Sequence, residues 1–346
     1  MLRPLRVLVT ACGCPAASTL IRMLRANGER EIDIVGVDMR EDAIGRFLAN
    51  EFHQVPPASS DDYIPAMLDL VDRERPDVVL PQSSYEVPRL ARHRDEFENR
   101  GVRLLVSSPQ PVDSCVDKAL MYRKVAGLDV PIPRTLYPES LQEFIDGAKA
   151  LGYPDCDVCF KPYVSKGGRG FRILSEHVDE ADLLLYERPN NLYMTLESFV
   201  RTFESVPQFP DLLLMEFVPG GEFTVDAVVD TGEILLGMVK TRDEIKTGLA
   251  MSFRTVRRPD LLEYTERILR EIPLDYLVNV QFKGDKLLEI NPRVSTFVYQ
   301  PDLILPYLAI KWALGELDHA RLREMTRRID YTRRTIRYYD QVFWSA

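Results

Sequence analysis

Glu289, Asn291 and Arg293 fall on every second position of the run Gln281-Phe282-Lys283-Gly284-Asp285-Lys286-Leu287-Leu288-Glu289-Ile290-Asn291-Pro292-Arg293. On an extended strand that spacing turns all three to one side. A carboxylate, an amide oxygen and a guanidinium side by side make a hard, oxygen-rich site for a divalent cation, with a fixed positive charge beside it for phosphate. Apolar runs at Tyr276 to Phe282 and Lys286 to Ile290 flank Gly284-Asp285, so the segment reads as a hairpin with a tight turn. Gln281 then adds an oxygen from the neighbouring strand. The same pattern also suits a half-exposed hairpin whose polar residues merely face water.

A second stretch bears on phosphate. The run Asp157 to Lys161 reads as a strand, and Pro162 to Leu174 carries Gly167, Gly168, Arg169 and Gly170 before a returning strand. Such a loop can fold over triphosphate oxygens and offer backbone N–H groups, while Lys161 and Lys118 neutralise charge. It is not a Walker A loop, because it leads to a strand and no G-x-x-x-x-G-K-[ST] occurs in the chain. Taken alone, it reads first as an ordinary glycine-rich turn. Further on, the apolar strand at Leu212 to Val218 is broken by Pro219-Gly220-Gly221. The break exposes backbone groups at Glu216 and Val218 that could pair with an adenine edge, and Glu222 could accept from ribose hydroxyls. A strand with an edge bulge is the other reading.

The elements that must position these groups begin with an α/β pattern. Strands are expected at Leu5 to Thr10, Ile32 to Val37, Asp77 to Leu80 and Arg103 to Val106, with helices near Ala16 to Ala26, Asp62 to Arg73 and Val87 to Asn99. Asp38 closes the second strand where a ribose-binding acid of a dinucleotide site would lie. Only Gly13 stands where that fingerprint wants three glycines, so a redox dinucleotide enzyme is disfavoured. The pattern changes around Ser108-Pro109-Gln110-Pro111; helices then follow from Asp117-Lys118 to Ala126 and from Leu141 to Leu151.

Composition narrows the classes. The chain has 346 residues, 45% hydrophobic and 28% charged, which suits two or three folded domains. With 53 acidic against 44 basic residues, the net charge of −9 gives no general footprint for nucleic acid. No apolar run approaches the ~20 residues a membrane helix needs, and Met1-Leu2-Arg3-Pro4-Leu5-Arg6 leads into a strand, which points to the cytoplasm. Cys156-Asp157-Val158-Cys159 has metal or redox spacing but no second pair or nearby histidine, so packed thiols are expected. His53, His93, His177 and His319 all fall outside the motifs above, which argues against a Ser-His-Asp mechanism.

Together these pieces resemble the ATP-grasp superfamily, specifically carbamoyl-phosphate-synthase-like proteins and their single-chain carboxylate-amine ligase relatives. The resemblance runs in order through Val7 to Gly13 with Pro15, Asp117-Lys118, Lys161-Pro162 with the glycine loop, Met215-Glu216 with Gly220 to Glu222, Gln281, Glu289 and Asn291-Pro292-Arg293. It implies an N-terminal Rossmann-like α/β domain (1–112) and an α+β ATP-grasp fold of two lobes. The small lobe with the glycine loop would span 113–190, and the large lobe with the metal site and C-terminal tail 191–346. Lys118 and Lys161 would contact ATP phosphates, with Gly167, Gly168, Arg169 and Gly170 as the loop over them. Glu216 and Val218 would be the adenine hinge and Glu222 the ribose ligand. Gln281, Glu289 and Asn291 would hold Mg2+ or Mn2+, with Arg293 beside the transferred phosphoryl group.

The implied activity is carboxylate-amine ligation through an acyl phosphate, with small-molecule carboxylate and amine substrates, no nucleic acid and no membrane. A homodimer stays open. A nucleotide-binding sensor or regulatory subunit and a small-molecule kinase remain as alternatives. Arg242, in the stretch Lys240 to Gly248, is the candidate for a substrate carboxylate or phosphate, with a charged surface loop the competing reading. The segment Val294 to Gln300 is bulkier than in many amino-acid ligases, which points to an unusual or closed acceptor pocket. Aromatics in the tail, Tyr331 to Trp344, are expected to dock on the domain or a partner subunit.

Overall fold

A computed structural model describes the chain apart from residues 1, 166, 187–190, 247, 296–299 and 345–346. Three sheets organise it. The first joins β1 (Leu5–Val9), β2 (Ile32–Asp38), β3 (Glu51–Gln54), β4 (Val78–Leu80) and β5 (Arg103–Leu104), all parallel, in the order β3-β2-β1-β4-β5. Helices α1 (Ala17–Arg25), α2 (Tyr63–Glu74), α3 (Val87–Arg92) and α4 (Arg94–Glu98) cover it. Because both faces are covered, β1, β2 and β4 are nearly continuous apolar runs. The doubly wound pattern legible in the sequence is therefore present. Edge strand β3, half polar and partly exposed, has no such run and escaped the reading.

The turn after β1 explains why a dinucleotide does not fit there. Asp38 Oδ2 accepts from the Gly13 N–H at 2.6 Å, and a Cβ at Gly13 would sit 2.9 Å from that oxygen. The Gly13 N–H, a donor that a bound pyrophosphate would use, is already taken by the carboxylate.

Helix α5 (Pro109–Val116) leads to α6 (Lys118–Val125), whose N-cap Asp117 accepts from Leu120 N at 3.0 Å. The expected boundary at 112 thus falls inside α5. Its prolines read as a break in the pattern, yet proline at the first helical turn starts a helix without losing a needed hydrogen bond.

The second sheet holds β6 (Thr135–Leu136), β7 (Val158–Pro162), β8 (Arg172–Leu174), β9 (Tyr193–Met194) and β10 (Leu212–Glu216), in the order β6-β10-β7-β8-β9. Against it lie α7 (Leu141–Ala150) and α9 (Leu196–Phe203), while α8 (Glu180–Tyr186), between β8 and β9 in the chain, leaves Leu184, Leu185 and Tyr186 exposed. Phe144 stacks on Phe199 at 3.9 Å, and Phe160 meets both edge-on at 5.6 and 4.9 Å. The small lobe continues past residue 190, since β10 pairs antiparallel with β7 over Leu212 to Glu216.

The third sheet carries the hairpin. Strands β11 (Glu222–Asp230), β12 (Glu233–Thr241), β13 (Glu244–Lys246), β14 (Leu249–Val256), β15 (Tyr276–Lys283) and β16 (Lys286–Asn291) run in the order β13-β14-β12-β11-β15-β16. On one face Val225, Ala227 and Val229 pack with Leu261, Ile268 and Leu269 of α10 (Pro259–Glu271). The alternating positions Glu222, Thr224 and Asp226 then share the opposite face with Gln281 and Asn279. Helices α11 (Leu305–Ala313) and α12 (His319–Glu324) follow, and Tyr307 and Ile310 of α11 share an apolar cluster with Leu20, Ile21 and Leu24 of α1.

The tail adds β17 (Arg334–Ile336) to β14, and Arg337 donates to Pro15 O at 3.1 Å. Trp344 docks on Phe47 with ring centroids 4.8 Å apart, while Tyr338, Tyr339 and Phe343 stay exposed. Of the expected packed thiols, Cys159 is buried in β7 but Cys156 is exposed. Cys156 precedes the strand, where the apolar cover is absent.

Candidate active site

Pairing of β15 with β16 sets Gln281 opposite Glu289 and Asn279 opposite Asn291. A bulge between Gln281 and Phe282 comes only after the polar positions, so their shared face is kept. Asn291 Nδ2 donates to Glu289 Oε1 at 3.0 Å and to Asn279 Oδ1 at 3.3 Å. Gln281 Nε2 also donates to Asn279 Oδ1, at 3.2 Å, which turns the Gln281 amide oxygen away from that contact. Asn279 in turn donates to Asp226 Oδ1 at 2.8 Å and to Ser295 Oγ at 3.3 Å. The sequence reading missed Asn279, although it lies two residues before Gln281 on the same strand face.

Arg293 joins this array from the end of β16. Its Nη2 donates to Asn291 Oδ1 at 3.4 Å, Nη1 to Val294 O at 2.8 Å, and Nε to Ser84 Oγ at 2.7 Å. Ser84 belongs to the first domain, and no local pattern announces a contact 209 residues away.

Two lysines stand across from the carboxylate. Lys161 on β7 donates to Leu288 O at 3.1 Å with its ammonium 5.3 Å from the Tyr122 ring centroid. Burial pushes its pKa down to about 8, while the Glu289 carboxylate acts in the opposite direction. Lys118, the first residue of α6, donates to Ser165 O at 2.8 Å and Ser165 Oγ at 3.2 Å. Its pKa is also lowered, again by burial first.

The glycine loop links β7 to β8 as a strand-loop-strand unit. Gly167 and Gly168 are exposed with φ of +62° and +72°. Gly170 has φ +77°, and a Cβ there would meet the Pro162 ring at 2.6 Å, so its smallness serves packing and not phosphate contact. Arg169 points to the first domain, donating to Tyr85 OH at 2.9 Å. Lys166 of this loop, Thr247 of the loop after Lys240 and residues 296–299 of the bulky segment lie outside the described residues.

At the end of β10 the Glu216 N–H is engaged by Arg134 O at 3.0 Å. This corrects the expectation for Glu216, whose N–H is taken and whose carbonyl accepts from the Cys159 thiol at 3.6 Å; Val218 lines the cavity. The Glu216 carboxylate pairs with Lys286 and accepts from Arg134 N at 3.0 Å, which holds its pKa below the usual carboxylate range despite partial burial. Glu222 opens β11 and accepts from Arg242 Nε at 3.1 Å, with Lys283 Nζ 3.9 Å away. Arg242 is buried, 8% exposed, and donates to Gly248 O at 2.9 Å. The surface-loop reading of Arg242 is therefore replaced: backbone pairing of Arg242 N to Glu222 O draws the side chain beneath the loop.

A cavity of about 530 Å³ collects these groups. Lys118, Lys161, Gly167, Gly168, Glu216, Val218, Glu222, Arg242, Gln281, Glu289, Asn291 and Arg293 line it, whereas Arg169 and Gly170 do not. Ile173, Met215, Phe217 and Ile290 add apolar wall to the cavity, suited to a flat heteroaromatic ring. One carboxylate with neighbouring amide oxygens suits a magnesium ion that keeps waters and phosphate oxygens among its ligands. Among the described residues no cluster of three acidic, cysteine or histidine side chains offers an all-protein metal cage.

Known proteins resemble the chain in sequence and in fold. Residues 208–335 match the family described as ATP-grasp in the biosynthetic pathway with Ter operon, and residues 7–105 match a PylC-like N-terminal domain. The carbamoyl phosphate synthase large chain of Rubrobacter xylanophilus is 31% identical over 247 residues, covering 67% of this chain and 21% of that protein. The C-terminal section of the Aquifex aeolicus large chain is 25% identical over 289 residues, covering 76% of this chain and 49% of that protein. The chain thus spans less than half the length of these curated relatives. Among solved structures, biotin carboxylase from Campylobacter jejuni superposes with a TM-score of 0.64 at 17% identity, covering 90% of this chain and 71% of that one. An N5-carboxyaminoimidazole ribonucleotide synthetase in complex with ADP gives 0.59 at 14% identity, covering 85% and 72%. The chain thus joins a PylC-like N-terminal domain to an ATP-grasp domain, and its sequence is similar to carbamoyl phosphate synthase large chains.

Proposed function

We propose that the protein is an ATP- and magnesium-dependent carboxylate-amine ligase acting in the cytoplasm. The observation that carries this reading is one cavity lined both by Lys118, Lys161, Glu289, Asn291 and Arg293 and by the apolar Ile173, Met215, Phe217 and Ile290. In the first step a carboxylate oxygen of the substrate attacks the γ-phosphorus of ATP. The bond to the β–γ bridging oxygen breaks, giving an acyl phosphate and ADP. In the second, an amine attacks the acyl carbon, phosphate leaves with the bonding electron pair, and the amine proton passes to solvent.

Both reactants of the first step are anionic, so the chain's own cations bear the electrostatic task. Lys161 and Lys118 hold phosphate oxygens, and Arg293 faces the group in transit. Gln281, Glu289 and Asn291 are the residues that would hold magnesium, with manganese fitting the same oxygens. Bound there, the metal supplies charge neutralisation between phosphate groups. Glu222 and the backbone at Glu216 and Val218 hold the nucleoside end, and Arg242 lies where it can take a substrate carboxylate.

The test is untargeted mass spectrometry of a small-metabolite extract incubated with protein, magnesium and ATP, compared with Glu289→Ala. A species equal to two consumed metabolites minus water, absent with the variant, is the expected result. A phosphorylated metabolite would make the protein a kinase instead. Nucleotide binding without any product would favour a sensor.

A further inference from the structure

The first domain reaches the active site through one turn, Gln82-Ser83-Ser84-Tyr85, between β4 and α3. Ser84 accepts from Arg293 Nε at 2.7 Å and lines the cavity, while the next residue, Tyr85, takes the glycine-loop Arg169 at 2.9 Å. A turn that fixes a guanidinium must itself be fixed. Beneath it lies Glu86, 4% exposed. Its Oε1 accepts from Ser83 N at 2.8 Å, Gln82 N at 3.2 Å and Thr10 Oγ1 at 2.5 Å, and its Oε2 accepts from Tyr63 OH at 2.7 Å. Gln82 Nε2 closes the network by donating to Thr10 O at 2.8 Å. One carboxylate therefore ties the end of β1, the start of α2 and the turn into a single unit.

Burying a carboxylate among neutral donors is costly, and an apolar residue would fill the same space without that cost. What an apolar residue would lack is the Oε1 oxygen that accepts from two consecutive backbone N–H groups at once, which fixes the turn's path. Ser84 sits immediately after them. The guanidinium of Arg293 has its Nη groups on Asn291 and Val294, both in its own strand's continuation, and the Ser84 contact at Nε holds it from the first domain.

We propose that Glu86 is a positioning residue for phosphoryl transfer: by fixing the Gln82-Ser83-Ser84 turn, it makes Ser84 hold the Arg293 guanidinium against the metal-binding array. The inference rests on the ligase reading above. It predicts that the first domain contributes to the transition state and not to nucleotide affinity.

The experiment measures binding of magnesium ADP, alone and with aluminium fluoride as a mimic of the phosphoryl group in transit, to the full chain and to Ser84→Ala, Glu86→Ala and Glu86→Gln. The wild-type protein should bind ADP more tightly with fluoride present. Ser84→Ala and Glu86→Ala should keep ADP affinity within about twofold yet lose about tenfold of the fluoride-induced tightening. Glu86→Gln, whose amide oxygen can accept all three Oε1 bonds, should behave as wild type. Should Ser84→Ala, which leaves the buried network intact, retain the full tightening, Glu86 has only a structural role and the inference is wrong. Proportional loss of ADP and fluoride-complex affinity in both alanine variants would overturn it too. Failure of the wild-type protein to bind magnesium ADP at all would instead remove the ligase reading itself.

Discussion

Lys240 and Asp226 form an ion pair 2.5 Å long with both side chains about 1% exposed, on the same sheet face as the metal-binding array. Asp226 also accepts from Asn279, so the pair anchors the amide that links Gln281 to Asn291. Removing one partner leaves an uncompensated buried charge, whereas replacing both does not. Lys240→Met alone should therefore cost about 3–5 kcal/mol of stability. Coupled with Asp226→Asn, which keeps an oxygen for Asn279, the loss should shrink to about 1 kcal/mol. Urea unfolding of the single and double variants measures this, and strictly additive losses would show that the two charges do not depend on each other.

Two glycines of one loop should respond differently to alanine. Gly168 has open space around it and Gly170 has the Pro162 ring at 2.6 Å, although both have positive φ. Gly168→Ala should cost only the left-handed backbone term, about 1–2 kcal/mol locally. Gly170→Ala must also displace Pro162, next to Lys161, and should lower both thermal stability and nucleotide affinity more than Gly168→Ala does. Equal effects would mean that the backbone term alone sets the response.

Arg293→Ala should lower turnover by about a hundredfold or more while leaving magnesium ADP affinity within a few-fold. Its guanidinium contacts Asn291 and Ser84 on the cavity lining, beside the array proposed to hold the metal and the phosphoryl group. An equal fall in affinity and turnover would place Arg293 in ground-state nucleotide binding.

What the sequence made legible follows from the range of each interaction. Glu289, Asn291 and Gln281 could be read because a hairpin's period and turn are local, and the register confirmed their pairing. Lys161 and Lys118 were found by order along the chain. Ser84 and the Glu86 network were not, because a serine in a turn carries no periodicity and its partner lies in another domain. Arg242 illustrates a different limit: a charge run looks solvated in one dimension, and only pairing with Glu222 shows that it turns inward. The boundary at 190 missed β10 for a related reason, since a strand's sheet is decided by its partner and not by its position in the chain.

Proton uptake offers the sharpest test of Lys161. In the free protein, burial lowers its pKa to about 8, so near that pH a sizeable fraction of the ammonium has lost its proton. Phosphate oxygens beside it favour the charged form and raise the value. The sign follows: binding of magnesium ADP near pH 8 should take up a fraction of a proton, and affinity should fall as the pH climbs above about 8. Arginine stays charged throughout this range, so Lys161→Arg should remove most of the uptake. Lys118, also lowered by burial, accounts for whatever remains. Calorimetric titration in two buffers of different ionisation enthalpy reads the proton count directly. Proton release by the wild-type protein, or unchanged uptake in Lys161→Arg, would show that Lys161 does not meet the phosphates.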